Sequence, residues 1–189
     1  MARASIVVIT GPPGAGKTTV SGLVAETIDP SVHVEGDAFW HFIRRGYIEP
    51  WRVESRGQNR VVVRALARAA DTYAAGGYTV ILDCILGPWF LEEFLADLSS
   101  PAPQVDYLVL RPSLDVALQR ATSHTEDRRS QHGRPLGSEP ARRMYEQFAD
   151  LGIYERHVVD CTAQTPHETA HVIERLLEAG SVRLTAGRT

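Results

Sequence analysis

Apolar residues fall along the chain in two alternating patterns. Short, β-branched runs such as Ile6-Val7-Val8-Ile9 end in turn residues, and the longer stretches between them carry apolar residues three and four positions apart. The runs predict strands over 6–9, 31–35, 78–82 (ending at Asp83), 105–110 and 157–160. The spaced stretches predict helices over 17–28, 38–45, 54–75, 88–98, 113–122, 138–151 and 166–179. In the first helix Val20, Leu23, Val24 and Ile28 share one stripe, and Pro30 stops it. Gly76-Gly77 closes the third, Pro88 opens the fourth at a position where its missing N–H costs nothing, and Ser113 caps the fifth. Strand and helix alternate throughout. A parallel strand pair needs a crossover long enough to cover it, so this order predicts an α/β protein with a parallel sheet and helices on both faces.

Two stretches break the pattern. Residues 122–137 are polar, contain Gly133 and Gly137, and hold Arg128, Arg129 and Arg134; the tail after Gly180 has no periodicity. A length of 189 residues suits one domain, expected over 1–180 with a lid at about 122–137 and a flexible tail at 181–189. With 43% hydrophobic and 23% charged residues the chain is of ordinary globular composition, not disordered, collagen-like or disulfide-stapled. Its net charge of −3 makes a long nucleic-acid partner unexpected. Cys84 and Cys161 lie too far apart for a metal knuckle and read as buried thiols. The histidines, His167 and His171 included, form no zinc spacing with a third ligand and read as surface residues. No apolar run is long enough for a membrane span, and the start leads straight into a strand without an apolar leader. A soluble cytoplasmic protein with no membrane partner is expected.

The most informative stretch follows the first strand. Gly11-Pro12-Pro13-Gly14-Ala15-Gly16-Lys17-Thr18 fits G-x-x-x-x-G-K-[ST] completely, between a strand and a helix as that motif requires. Glycines let backbone N–H groups face one anion, and the helix start adds unpaired N–H groups and its positive dipole end. Gly11, Gly14, Ala15, Gly16, Lys17, Thr18 and Thr19 are therefore candidates for holding ATP. Lys17 supplies charge at the β- and γ-phosphates, and the Thr18 hydroxyl is a ligand for Mg²⁺.

On these residues the chain resembles the small P-loop kinases, and within them the chloramphenicol-phosphotransferase-like and zeta-toxin/polynucleotide-kinase-like branches. The resemblance implies a P-loop NTPase three-layer sandwich, with a five-stranded parallel sheet in the order 2-3-1-4-5 and a small arginine-bearing lid. It also implies transfer of the γ-phosphoryl group of ATP to a small acceptor.

Asp37 ends the second predicted strand, on the side of a parallel sheet where ligands bind. The resemblance gives it the role of orienting or deprotonating the acceptor hydroxyl; the alternative is a cap for the helix from Ala38. Asp83, at the end of the third strand, is implied to organise Mg²⁺ or to touch the acceptor, and a purely structural role remains open. The stretch 39–52 mixes aromatics and arginines densely. Trp40, Arg44, Arg45, Tyr47, Trp51 and Arg52, with Trp89, are candidate walls of an acceptor pocket; a small satellite core is the alternative. Phe39 and Phe42 are expected in the core. The resemblance also implies lid arginines that neutralise charge during transfer: Arg120 and Arg128 first, then Arg129 and Arg134. It places the adenine near Asp160-Cys161-Thr162, with Arg111 assisting.

The reading is an ATP- and Mg²⁺-dependent kinase acting on a hydroxyl of a small antibiotic, sugar or nucleoside. Its rivals are a polynucleotide or nucleotide-sugar kinase, and a nucleotide-dependent switch without acceptor turnover.

Overall fold

A computed structural model describes residues 5–123 and 137–184. Its five strands are β1 (Ser5–Thr10), β2 (Ser31–Glu35), β3 (Thr79–Asp83), β4 (Gln104–Leu110) and β5 (Val158–Val159). They form one sheet in the order β2-β3-β1-β4-β5, and every pairing between them is parallel. The helices are α1 (Lys17–Glu26), α2 (Ala38–His41), α3 (Arg56–Ala75), α4 (Pro88–Ala96), α5 (Leu114–Ser123), α6 (Ser138–Glu146) and α7 (Pro166–Glu178).

The period of two in β1 sorts its side chains onto the two sheet faces. Ile6 and Val8 join a core with Val63 and Leu66 of α3 and Phe94 of α4, whereas Val7 and Ile9 join a second core with Val20 and Val24 of α1 and Ile173 of α7. All four of these residues are buried, which explains a run without polar alternation: a central parallel strand is covered twice. Cys84 and Cys161 are buried free thiols, one in each core.

Several elements stop earlier than their periodicity predicts. Helix α2 ends at His41, so Phe42, expected in the core, is 67% exposed, while Phe39 packs partly against it. Helix α6 ends at Glu146 instead of reaching 151; turns with Phe148 N–H on Tyr145 O at 2.8 Å and Ala149 N–H on Glu146 O at 3.2 Å follow it. That tightening drives Phe148 and Leu151 into the core on the α3 side. β5 is only Val158–Val159, and His157, read as a surface residue, is 1% exposed with Nδ1 2.9 Å from the Tyr107 carbonyl. Burial holds its pKa below the usual histidine range.

The C-terminus departs from expectation too. Residues 181–184, read as the start of a flexible tail, lie antiparallel to the first half of β4: Tyr107 N–H donates to Val182 O at 3.0 Å and Leu184 N–H to Val105 O at 2.9 Å. Val182 is buried in the α1 side core. Among the described residues no helix is long and apolar enough to cross a membrane.

Candidate active site

The loop between β1 and α1 is pressed against the end of β4 and against α5. Gly11 has φ 147° and Gly14 φ 78°; a Cβ at the first would overlap the Leu110 carbonyl, and at the second the Ala117 carbonyl. Only glycine fits either place. Gly16 is the N-cap of α1 and no side chain caps that helix, so the amides of its first turn are left for an anion. Lys17 is 8% exposed and folds back over the loop, its Nζ donating to Gly11 O at 3.1 Å and Pro12 O at 3.2 Å.

Gly14, Ala15, Gly16, Lys17, Thr18 and Thr19 line one end of a cavity of about 1280 Å³, and Gly11 is not part of its wall. Such a volume is large enough for a nucleotide and a second small molecule together. Asp37 lines the same cavity. It occupies the N-cap position of α2, yet its backbone is helical (φ −60°, ψ −23°) and its side chain makes no capping hydrogen bond. The capping explanation therefore has no bond to rest on.

Trp40, Tyr47, Trp51, Arg52 and Trp89 line the cavity as well. Trp40 does double duty: its ring belongs to the α3 side core and its indole N–H donates to Asn59 Oδ1 at 2.9 Å. Arg44 and Arg45 are exposed and do not line the cavity. The helix that was to carry them ends before they are reached. Arg52 is held between Glu49 at 3.8 Å and Glu54 at 3.3 Å. Sequence reasoning passed over Glu49, Ser55, Arg56 and Asn59, which also face the cavity. For Asn59 there was a signal, because it occupies a stripe position of α3 with Val62, Val63 and Leu66, where an apolar residue is expected.

Asp83 is brought near the loop but not into the cavity. It pairs in register with Ile9 at the end of β1 and is 3% exposed. Its Oδ2 lies 3.5 Å from Nε2 of His33, at the outer limit of a hydrogen bond, and neither atom has another partner among the described residues. Contact with this carboxylate raises the pKa of His33, against the opposing effect of burial.

The far wall is built by the end of α5, the loop after β5 and the start of α7. Arg120, at the end of α5, lines the cavity; Arg128, Arg129 and Arg134 lie outside the described residues. Cys161 lines it too, with its thiol 3.7 Å from Ala15 O, so the loop after β5 touches the phosphate loop. Thr162 carries that contact onward by accepting the Ser113 N–H at 2.8 Å.

Arg111 does not line the cavity. Its guanidinium grips both Glu155 carboxylate oxygens at 2.9 and 2.7 Å and donates to Phe148 O at 2.8 Å, tying β4 to the chain after α6. The Arg111 hydrogen bonds hold the Glu155 pKa down at about 2, against an ordinary 4.5. A depressed carboxylate contributes stability that is present above its unfolded pKa and lost as pH falls through the folded one. Thermal melts should therefore show a loss of stability between about pH 4.5 and 2 that Glu155→Gln lacks. Parallel profiles for the two proteins would exclude this pair as an acid-sensitive tie.

A family profile described as chloramphenicol phosphotransferase-like protein matches residues 4–178. Among solved structures, an unliganded sugar kinase from Janibacter sp. HTCC2649 is 25% identical, with TM-score 0.63, covering 96% of this chain and 99% of its own. The Deinococcus radiodurans tunicamycin resistance protein is 17% identical, with TM-score 0.63 and coverage of 97% and 99%. A gluconokinase from Sinorhizobium meliloti 1021 is 19% identical, with TM-score 0.61 and coverage of 95% and 97%. The last two likenesses are of fold. No curated protein sequence gives a significant match.

Proposed function

The chain belongs to the chloramphenicol phosphotransferase-like family, and from that premise we propose that it is a kinase passing the γ-phosphoryl group of ATP to a hydroxyl of a small acceptor. One observation carries the reading. The uncapped Asp37 carboxylate and the phosphate loop face a single cavity, with aromatic walls on the Asp37 side. A switch that only bound and hydrolysed nucleotide would have no use for that second compartment.

In the proposed reaction the acceptor oxygen attacks the γ-phosphorus as the bond to the β–γ bridging oxygen breaks, and ADP leaves. Asp37 orients the hydroxyl and takes its proton, which then passes to solvent. Lys17 and the loop amides hold the phosphates, and Arg120 stands where charge builds on the transferring group. The far wall around Cys161 takes the base of the nucleotide. Arg128 is kept as a second charge from the lid, whose span of about 122–137 remains part of this proposal.

Among the described residues no cluster of His, Cys, Asp and Glu could hold a metal unaided. That suits Mg²⁺, which keeps waters and phosphate oxygens as most of its ligands. Thr18, on the cavity wall, would hold it, with Asp83 near the loop as the neighbouring carboxylate, its buried Oδ2 facing His33 Nε2 at 3.5 Å. The ion compensates charge on the phosphates when bound.

The test is ATP consumption with and without hydroxylated antibiotics, sugars and nucleosides, following a thermal-shift screen with a non-hydrolysable ATP analogue. One acceptor should raise consumption sharply and appear as a phosphorylated product. Trp51→Ala should then weaken binding of that acceptor more than binding of ATP. Slow hydrolysis indifferent to every acceptor would favour the switch, and equal loss of both ligands with a lower melting temperature would make Trp51 a packing residue.

A further inference from the structure

The chain from 44 to 52 has neither helix nor strand, and from Tyr47 on it runs along the cavity. Within it the backbone closes one turn, Arg52 N–H on Glu49 O at 3.0 Å. Its path is fixed from outside by the start of α3. The Gln58 amide behaves as a neighbouring strand would: Oε1 accepts the Ile48 N–H at 2.8 Å and Nε2 donates to the Ile48 carbonyl at 2.6 Å. Asn59, 5% exposed, spends all of its amide. Nδ2 donates to Pro50 O at 2.8 Å and Ser55 Oγ at 3.0 Å, while Oδ1 accepts the Trp40 indole N–H at 2.9 Å. Trp40 lies on α2, three residues after Asp37. Asn59 thus joins the helix that carries the candidate base to the arm that carries Tyr47 and Trp51.

We propose that the arm 47–52 is the element that selects the acceptor, and that Gln58 and Asn59 are the positioning residues that set where it stands relative to Asp37. The inference rests on the kinase reading above. Its physical basis is a division of labour. The phosphate loop is fixed by the sheet and by α1, so ATP binding does not depend on the arm. The arm has no ladder of its own, so its placement depends on bonds from the start of α3: the Gln58 and Asn59 amides, and the Ser55 hydroxyl on the carbonyls of Pro50 and Arg52. Tyr47 is close enough to Glu49 and Asp37 for both carboxylates to raise its pKa, behind the larger effect of burial, which fits an arm held against the base. Buried amide networks of this kind are sensitive to losing one member, because the partners left behind stay desolvated.

Gln58 does not line the cavity, so it can be changed without altering the wall. Gln58→Met keeps length and volume while removing both bonds to Ile48, and Gln58→Glu keeps only the acceptor. The variants and the parent are assayed with ATP and each of chloramphenicol, tunicamycin, gluconate, shikimate and uridine, and amide hydrogen exchange is followed at Ile48. Gln58→Met should raise the KM of the accepted compound about tenfold, the effect of two lost hydrogen bonds. The KM for ATP should be unchanged, Gln58→Glu should fall between, and Ile48 should exchange faster. Faster exchange with an unchanged acceptor KM overturns the selecting role. Unchanged exchange overturns the positioning role of Gln58. A parent protein that phosphorylates none of the five compounds counts against the kinase reading and the selecting role together, while exchange still decides whether Gln58 holds the arm.

Discussion

Lys17→Ala is expected to leave a folded protein whose phosphoryl transfer has dropped by about 10²–10³-fold or more, the loss seen when one charge-stabilising donor is removed from such a site. The lysine is in neither hydrophobic core: among the described residues its Nζ donates to the carbonyls of Gly11 and Pro12. The charge itself has no substitute on the loop, because the other groups there are backbone amides and the hydroxyls of Thr18 and Thr19. Steady-state kinetics with a saturating acceptor, beside a circular-dichroism melt, measures both halves of the expectation. Unchanged ATP turnover would remove the nucleotide site from this loop.

Asp37→Asn should be as damaging to transfer and nearly silent elsewhere. The substitution keeps size and hydrogen-bonding shape but removes the charge and the proton acceptor. Transfer to the acceptor should fall about 10²–10⁴-fold, the range for a general acid–base group. The KM for ATP should hardly move, since the phosphates are held across the cavity. Folding should survive for two reasons: Asn caps helices about as well as Asp, and Asp37 makes no capping bond in the first place. Near-normal transfer in this variant would shift the role of base to Asp83 or to solvent. Asp83, 3% exposed and outside the cavity wall, would have to move to reach an acceptor, so solvent would be the first alternative to test.

The parts of the site that could be read in advance are those written locally. The phosphate loop is a contiguous string whose glycines are dictated by backbone geometry, and it stands where the string said. The strand order was not in the periodicity at all; it came with the family resemblance, and the register of β1 with β3 and β4 bears it out. The acceptor side was legible as a density of aromatics and arginines but not as a shape. Helical spacing carried the pattern past His41, whereas the chain leaves the helix there and turns Phe42 outward. Which arginine faces the cavity then depends on a path held by Ser55, Gln58 and Asn59, residues ten or more positions on from Arg44 and Arg45 and invisible to any short window around them. His157 was missed for a similar reason. Its burial is created by Tyr107 and Tyr154, whose rings come within 5.8 and 5.9 Å of it only after the sheet has formed.

The position of β1 in the sheet has a consequence for how the protein is made. Of the five strands of this sheet, the first to leave the ribosome is the one in the middle, and its two edges wait for residues far behind it. Ile6 pairs with Val80 on one side and with Val105 on the other. Until β3 and β4 have been synthesised, an apolar segment with both hydrogen-bonding edges open trails from the ribosome for several seconds at ordinary translation rates of about 5–20 residues per second. Such non-local pairing also slows folding once the chain is released. Slower translation across 11–78 would lengthen the exposed interval without forming a single β1 pair, so yield of soluble protein should depend on chaperone supply more than on the melting temperature of the finished fold.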